Sequence, residues 1–247
     1  MVKENIHSIN MTFLIFFIML LLPFSIQADE PDLVLNTWAK PPLSEVGHTG
    51  YLDKIIIEAF RRIDLEIDIV HKPVERSIQD ANNGRGDGEY IRVAGLSRIY
   101  PNLIQVPEKI FDFEFVVFTK KNEVIISGWE SLKPYSVGIV IGWKILEENI
   151  QNVRRRSDVI TPESLFKMLD RGRIDIAVYS RYLGSKVVSK LGLNDIFVKP
   201  PPLAVRPMYL YLHKKHRNII PDLTKSLRNM RKDGVFLKIK NAYLLKK

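Results

Sequence analysis

Hydrophobic and polar positions in this chain repeat with two different periods, and each change of period marks an element. The apolar run Asp32–Trp38 (DLVLNTW) predicts a first strand, stopped by Pro41 and Pro42. From Tyr51 to Ile63, residues Leu52, Ile55, Ile56, Ala59, Phe60 and Ile63 fall on one face at helical spacing. Leu65–Val70 alternates strictly and predicts a strand, Val74–Asn82 a short helix ending at Gly84, and Tyr90–Ala94 the next strand. Phe111–Thr119 (FDFEFVVFT) carries the strongest strand signal, apolar and aromatic on both sides of its alternation.

A second strand-and-helix series follows. Ser136–Ile141 predicts a strand, and Trp143–Ile150, after Gly142, a helix. Asp158–Ile160 leads into a helix over Pro162–Leu169, with Thr161 as its N-cap and Pro162 at its first position. Asp175–Tyr179 predicts a strand, the prolines at 200–202 a break, Met208–Leu212 a strand and Pro221–Met230 a helix. Strands alternating with helices define an α/β class with mainly parallel sheets. The stretch Gly84–Glu89 (GRGDGE) and its echo Gly172–Ala177 (GRIDIA) each close a helix and open an Asp-led strand. One such turn in each half predicts two α/β lobes facing one another.

Met11–Ile26 is apolar apart from Thr12 and Ser25 and too short for a comfortable membrane span. With Ala28 before the polar Asp29 and Glu30, it reads as a signal peptide over 1–28, a retained anchor being the alternative. The remaining residues can bury a core without staples. The chain has no cysteine, which excludes a disulfide framework and a lipidated cysteine, so a freely soluble periplasmic protein is expected. The net charge is +9, and from Val205 to Lys247 Lys and Arg outnumber acids twelve to two. For an exported protein this reads as a solvated helical face, with an anionic membrane surface next and no nucleic-acid partner.

Pro41-Pro42-Leu43-Ser44, Gly50-Tyr51-Leu52-Asp53 opening a helix, the Gly-x-x-Asp turn, Pro101–Glu108, the strand Phe115–Thr119 and Val137-Gly138-Ile139-x-x-Gly142 follow one another in a telling order. That order resembles the bacterial extracellular solute-binding proteins of family 3, with Gly234–Ile239 similar to their closing helix. The resemblance spans nearly all of 29–247. It implies a periplasmic-binding-protein fold of the second type, each lobe a mainly parallel sheet flanked by helices, joined by two hinge segments. Lobe 1 would be 29–119 plus 206–247, and lobe 2 would be 120–205. It further implies a monomer that captures a small polar solute in the cleft by hinge closure and delivers it to an inner-membrane ABC transporter permease, without cofactor or metal.

In amino-acid binders of this family, an arginine after the first-lobe Asp grips the ligand carboxylate through its planar fork. Arg92 and Arg98 both follow Asp87; Arg98 fits the family spacing, whereas Arg92 lies nearer the end of a strand, where clefts form. Trp38 stands where the family has a stacking aromatic and is equally readable as a core residue; Tyr51 and Tyr90 are weaker candidates for the same wall. Gly142 precedes a helix whose free N–H groups could take an anion, but Trp143 replaces the usual small hydroxyl residue. The acid that pairs with a ligand ammonium is replaced by Ser180, followed by Arg181, with Glu75 or Glu89 as substitutes. A carboxylate-bearing or otherwise anionic solute is therefore expected ahead of a standard amino acid.

Other signals carry less. The triple-glycine stretch at 84–88 follows a helix and lacks the Lys-Ser/Thr of a phosphate loop. Asp80–Asn82 places Arg85 where a calcium loop needs Gly, and His213 and His216 stand in a basic segment without further ligands. Two rivals remain: a sensor or accessory protein that binds a partner, and a dehydratase resembling cyclohexadienyl dehydratase, with Glu89 or Glu75 as the acid.

Overall fold

The computed structural model describes residues 30–244. The expected signal segment 1–28 lies outside the described residues, among which no helix is long and apolar enough to cross a membrane. In the first half, β1 (Leu33–Thr37) pairs in parallel with β2 (Ile67–His71) on one side and β3 (Gly88–Arg92) on the other. Helix α1 (Tyr51–Arg61) connects β1 to β2, and α2 (Val74–Asn82) connects β2 to β3. Three antiparallel strands are added: the short β4 (Leu103–Gln105) and the long β5 (Phe111–Thr119) and β9 (Phe197–His213). The second half repeats the first. Strand β6 (Ser136–Val140) lies parallel between β7 (Arg155–Val159) and β8 (Ile176–Ser180), with α3 (Lys144–Asn149) and α4 (Pro162–Asp170) as connections. Helix α5 (Arg181–Lys190) follows β8, and α6 (Ile220–Lys232) and α7 (Val235–Tyr243) end the chain.

The strand order β2-β1-β3-β9-β5-β8-β6-β7 shows the duplication directly. Each half is a three-stranded parallel unit with its first strand in the middle, and β9 and β5 run antiparallel between the two units. The alternating period of FDFEFVVFT explains why β5 can stand there. Its residues from Phe115 onward are buried on both faces, as a strand flanked by β8 and β9 demands. Phe118 then meets Phe166 of α4 edge-on at 5.0 Å between ring centroids.

The expected N-cap is present: Thr161 Oγ1 accepts from the Ser164 N–H at 3.2 Å, with Pro162 opening α4. One expectation is corrected, and one helix is added to those expected. The prolines at 200–202 do not break the chain; they sit inside the 17-residue β9, at the register shift where β5 passes from pairing Phe115 with Ala204 to pairing Val117 with Lys199. A bulge is where a strand tolerates residues without an N–H. The stretch Arg181–Lys190, for which the periodicity predicted nothing, is helical. A Cβ on Gly184 would come within 2.5 Å of Phe118 Cζ, so the glycine lets α5 lie against the aromatic core.

Both Gly-x-x-Asp turns do the same work. Gly84 and Gly172 end their helices at positive φ, +75° and +65°. Asp87 then accepts from the Val34 N–H at 2.7 Å and donates its own N–H to the Val34 carbonyl at 2.8 Å. Asp175 repeats the pattern on Ser136, at 2.8 and 2.9 Å. In each half the aspartate ties the incoming third strand to the start of the first.

Candidate functional site

The C-terminal ends of β1 and β3 meet the N-terminal turn of α2, and an irregularity in β3 shapes this corner. Ile91 takes φ +67°, a left-handed conformation that a β-branched residue rarely adopts, where the β3–β9 register shifts between Tyr90 and Arg92. The extra residue inverts the alternation. Arg92 therefore falls on the face of Glu89, and its guanidinium donates to Glu89 Oε1 and to the Val74 carbonyl, both at 2.6 Å. Glu89 is fully buried. Burial raises its pKa, against the opposing pull of Arg92 and of the nearby Ser77 hydroxyl. Asn36, the register neighbour of Glu89, donates from Nδ2 to the Ser77 carbonyl at 3.0 Å.

Most of the unpartnered buried side-chain atoms among the described residues lie in this corner. Among the described residues, the buried side-chain atoms without a partner are Asn36 Oδ1, Trp38 Nε1, Ser77 Oγ, Glu89 Oε2 and Arg92 Nε. Native interiors pair nearly all such atoms, because each one left alone costs roughly 1–3 kcal/mol. Asn36, Ser77, Glu89 and Arg92 cluster here; the Ser77 hydroxyl can turn to Glu89, which leaves Asn36 Oδ1 and Arg92 Nε, an acceptor and a donor, open to a further partner, and Trp38 Nε1 adds a second donor at the end of β1.

An aromatic cluster adjoins Trp38. Trp143 stacks on Phe113 at 5.3 Å, meets Phe115 at 5.3 Å and Tyr179 at 6.0 Å, and reaches Trp38 of the first half at 6.3 Å. The two tryptophans close the seam between the halves. Beside them, a cavity of about 420 Å³ opens between Lys40 and Pro41 on one side and Tyr179, Leu183 and Val187 on the other.

The remaining predicted site residues scatter. Arg98 is exposed on the 3-10 turn Leu96–Arg98. Gly142 has φ +92°, and its N–H is donated to Glu147 Oε1 at 2.6 Å, so the chain's own acid takes the anion seat ahead of the six-residue α3. Ser180 is buried at the end of β8, and Arg181 donates from Nε to Glu114 Oε2 at 2.5 Å. Tyr90 is buried away from this corner, donating to Asp53 Oδ1 at 2.6 Å beside Ser44. Tyr51 is buried against Phe111 at 5.9 Å, and Glu75 lies near the Tyr100 hydroxyl at 3.4 Å. His216, set aside as a metal ligand, bonds Asp87 Oδ1 at 2.7 Å. Sequence reasoning missed Asn36 and Ser77. A polar residue inside the apolar run LVLNT was the available signal for Asn36; Ser77 had none.

No family model matches the chain. An uncharacterized protein of Shewanella oneidensis is 25% identical over 224 residues, covering 86% of this chain and 82% of that one. Among solved structures, the second substrate-binding domain of a putative amino acid ABC transporter from Streptococcus pneumoniae superposes with a TM-score of 0.69 at 18% identity, covering 86% of this chain and 99% of that one. The GluR0 ligand-binding core from Nostoc punctiforme, in complex with L-glutamate, gives 0.64 at 15% identity over 85% and 98%. A histidine kinase sensor domain with similarity to periplasmic binding proteins gives 0.65 at 15% identity over 86% and 95%. The fold is thus the two-lobe α/β fold of periplasmic binding proteins. These three neighbours are a substrate-binding domain, a ligand-binding core and a sensor domain.

Proposed function

We propose that this chain is an exported solute-binding protein that captures a small polar solute between its two halves. In this reading residues 1–28 are a cleaved signal peptide, 29–119 with 206–247 form one lobe and 120–205 the other. The crossing strands β5 and β9 serve as hinge, and the monomeric protein works in the periplasm and delivers its solute to an ABC transporter permease. The observation that carries the reading is the orphaned polar set at Asn36, Trp38, Ser77, Glu89 and Arg92, set against the Trp38–Trp143 seam. Trp38 Nε1 and Arg92 Nε supply donors for a carboxylate, while Asn36 Oδ1 and Glu89 Oε2 accept from a second, donor-bearing group of the same molecule. With Ser180 in place of the second-lobe acid, Glu89 is left to face the donor-bearing group, and because burial favours its neutral form this supports a carboxylate-bearing solute with a neutral donor ahead of a standard amino acid.

The test is thermal unfolding against amino acids, dicarboxylates, polyamines and aromatic acids. A cognate solute at a hundred times its dissociation constant adds about 2.7 kcal/mol of stability. The expected result is a shift with one carboxylate-bearing class, abolished in Arg92→Ala or Trp38→Ala. Protection by no compound would sink the reading. It would favour a partner-binding sensor, a use of the same fold exemplified by the kinase sensor domain.

A further inference from the structure

A second cavity lies away from the orphaned corner, where the two halves meet beside the C-terminal helices. It encloses about 260 Å³ between the start of α1, the start of β5, the start of α5 and helix α7. Its walls are the rings of Tyr51, Phe111, Tyr182 and Phe236. Phe111 touches Tyr51 at 5.9 Å and Tyr182 at 5.7 Å, so the rings form one continuous surface. Burial pushes the Tyr51 phenol up to about 12, which keeps its O–H a neutral donor across the physiological range.

Four charged residues line this chamber, and three of them are paired. Asp112 is paired with Lys109 at 2.6 Å, Glu114 with Arg181 at 2.5 Å, and Arg231 with Glu108 at 3.0 Å. Lys240, the remaining charged residue of the lining, has no carboxylate partner among the described residues, and its Nζ stands 5.9 Å from the Tyr182 ring. The lining is thus largely aromatic, and of its four charged residues Lys240 is the one that no carboxylate bonds among the described residues. Ligand pockets run about 300–1,000 Å³, so this volume suits a molecule of a single ring.

We propose that this chamber is a second binding site, for a small aromatic monocarboxylate whose ring packs among Phe111, Tyr182 and Phe236 and whose carboxylate pairs with Lys240. The site does not depend on the solute captured at the orphaned corner. Because its walls come from both halves, an occupant holds α5 against α1 and α7, and so bears on the relative position of the halves.

The probe is 4-fluorobenzoate, followed by fluorine NMR titration of the full chain. Saturable binding is expected, weakened about tenfold or more in Lys240→Gln, as loss of a charge-assisted hydrogen bond implies. Lys240→Arg, which keeps the charge, should restore it, and neutral 4-fluorobenzamide should bind about tenfold more weakly than the acid. Arg92→Ala and Arg98→Ala should leave the titration unchanged. Absence of saturable binding overturns the proposal. So does binding lost in either arginine variant but kept in Lys240→Gln, which would assign the probe to the other site.

Discussion

The two halves are wired alike and furnished differently. Each has a three-stranded parallel unit closed by a Gly-x-x-Asp turn, and in each the aspartate grips the first strand through one N–H and one carbonyl. At the seam the likeness ends. The first half brings a fully buried carboxylate, a bulged strand and five buried polar atoms with no hydrogen-bond partner among the described residues; the second brings Trp143, which stacks on Phe113 of β5. Scaffold residues have therefore kept a duplicated plan that site residues have not. The difference also shows in titration. Burial alone would raise Asp87 and Asp175, but their cations and the strand N–H groups outweigh it and hold both below the usual carboxylate range. At Glu89 the balance goes the other way, and burial wins over a single arginine.

The largest break in the comparison should come from the aspartates. Asp175 is held by Lys121 and Arg154, both at 2.5 Å; Asp87 is held by Lys215 at 2.6 Å and by His216, which is a cation only when protonated. Lys121, Arg154 and Lys215 are about half exposed, so removing a carboxylate costs about 1.5–3 kcal/mol, the worth of its charge-assisted hydrogen bonds. Urea denaturation should show Asp175→Ala losing about that much at pH 7, and Asp87→Ala somewhat less. Equal losses would mean that the strand N–H bonds, common to both, dominate. Since both pKa values are depressed on folding, this stability is present above the unfolded carboxylate pKa and is lost as pH falls through the folded values. The difference between wild type and either variant should therefore shrink below about pH 4.

A smaller effect is expected at Gly184. Its added methyl would press on Phe118 at 2.5 Å and Phe166 at 3.1 Å, and overpacking of this kind typically costs about 1–3 kcal/mol. Gly184→Ala should lower the denaturation midpoint accordingly, whereas Gly172→Ala, with nothing within 4 Å, should show only the strain of its +65° φ. The same glycine explains why α5 was illegible. Gly184 amid Ser185, Val187, Val188 and Ser189 has neither helical periodicity nor propensity, and packing on Phe118 decides the matter. Where local pattern and burial agree, as in α1, α2 and β5, the boundaries could be read to within two residues. The site was harder. Trp38, Glu89 and Arg92 stood out as residue types, but their juxtaposition depends on a bulge at Ile91, and a buried isoleucine at positive φ leaves no trace in sequence. Aromatic spacing likewise gave no warning that Trp143 would pack on Phe113 and Phe115 rather than stand free.

The smallest and most discriminating change is Glu89→Gln. The amide keeps the shape of the side chain and still accepts from Arg92, but it cannot ionise. The folded pKa of Glu89 lies above its unfolded value, so the stability tied to its protonated form is complete below the unfolded pKa and lost as pH rises through the folded one. This is opposite in sign to the aspartates. Stability of the wild type relative to Glu89→Gln should therefore fall as pH rises above the ordinary glutamate range. If the solute offers a donor to Glu89 Oε2, saturating it should flatten that slope, because the bound donor stabilises the carboxylate. A slope unchanged by solute would place the donor elsewhere on the wall, at Asn36 or Ser77. A flat profile in the absence of solute would mean that Arg92 already neutralises Glu89 in full, and the first half would then titrate like the second.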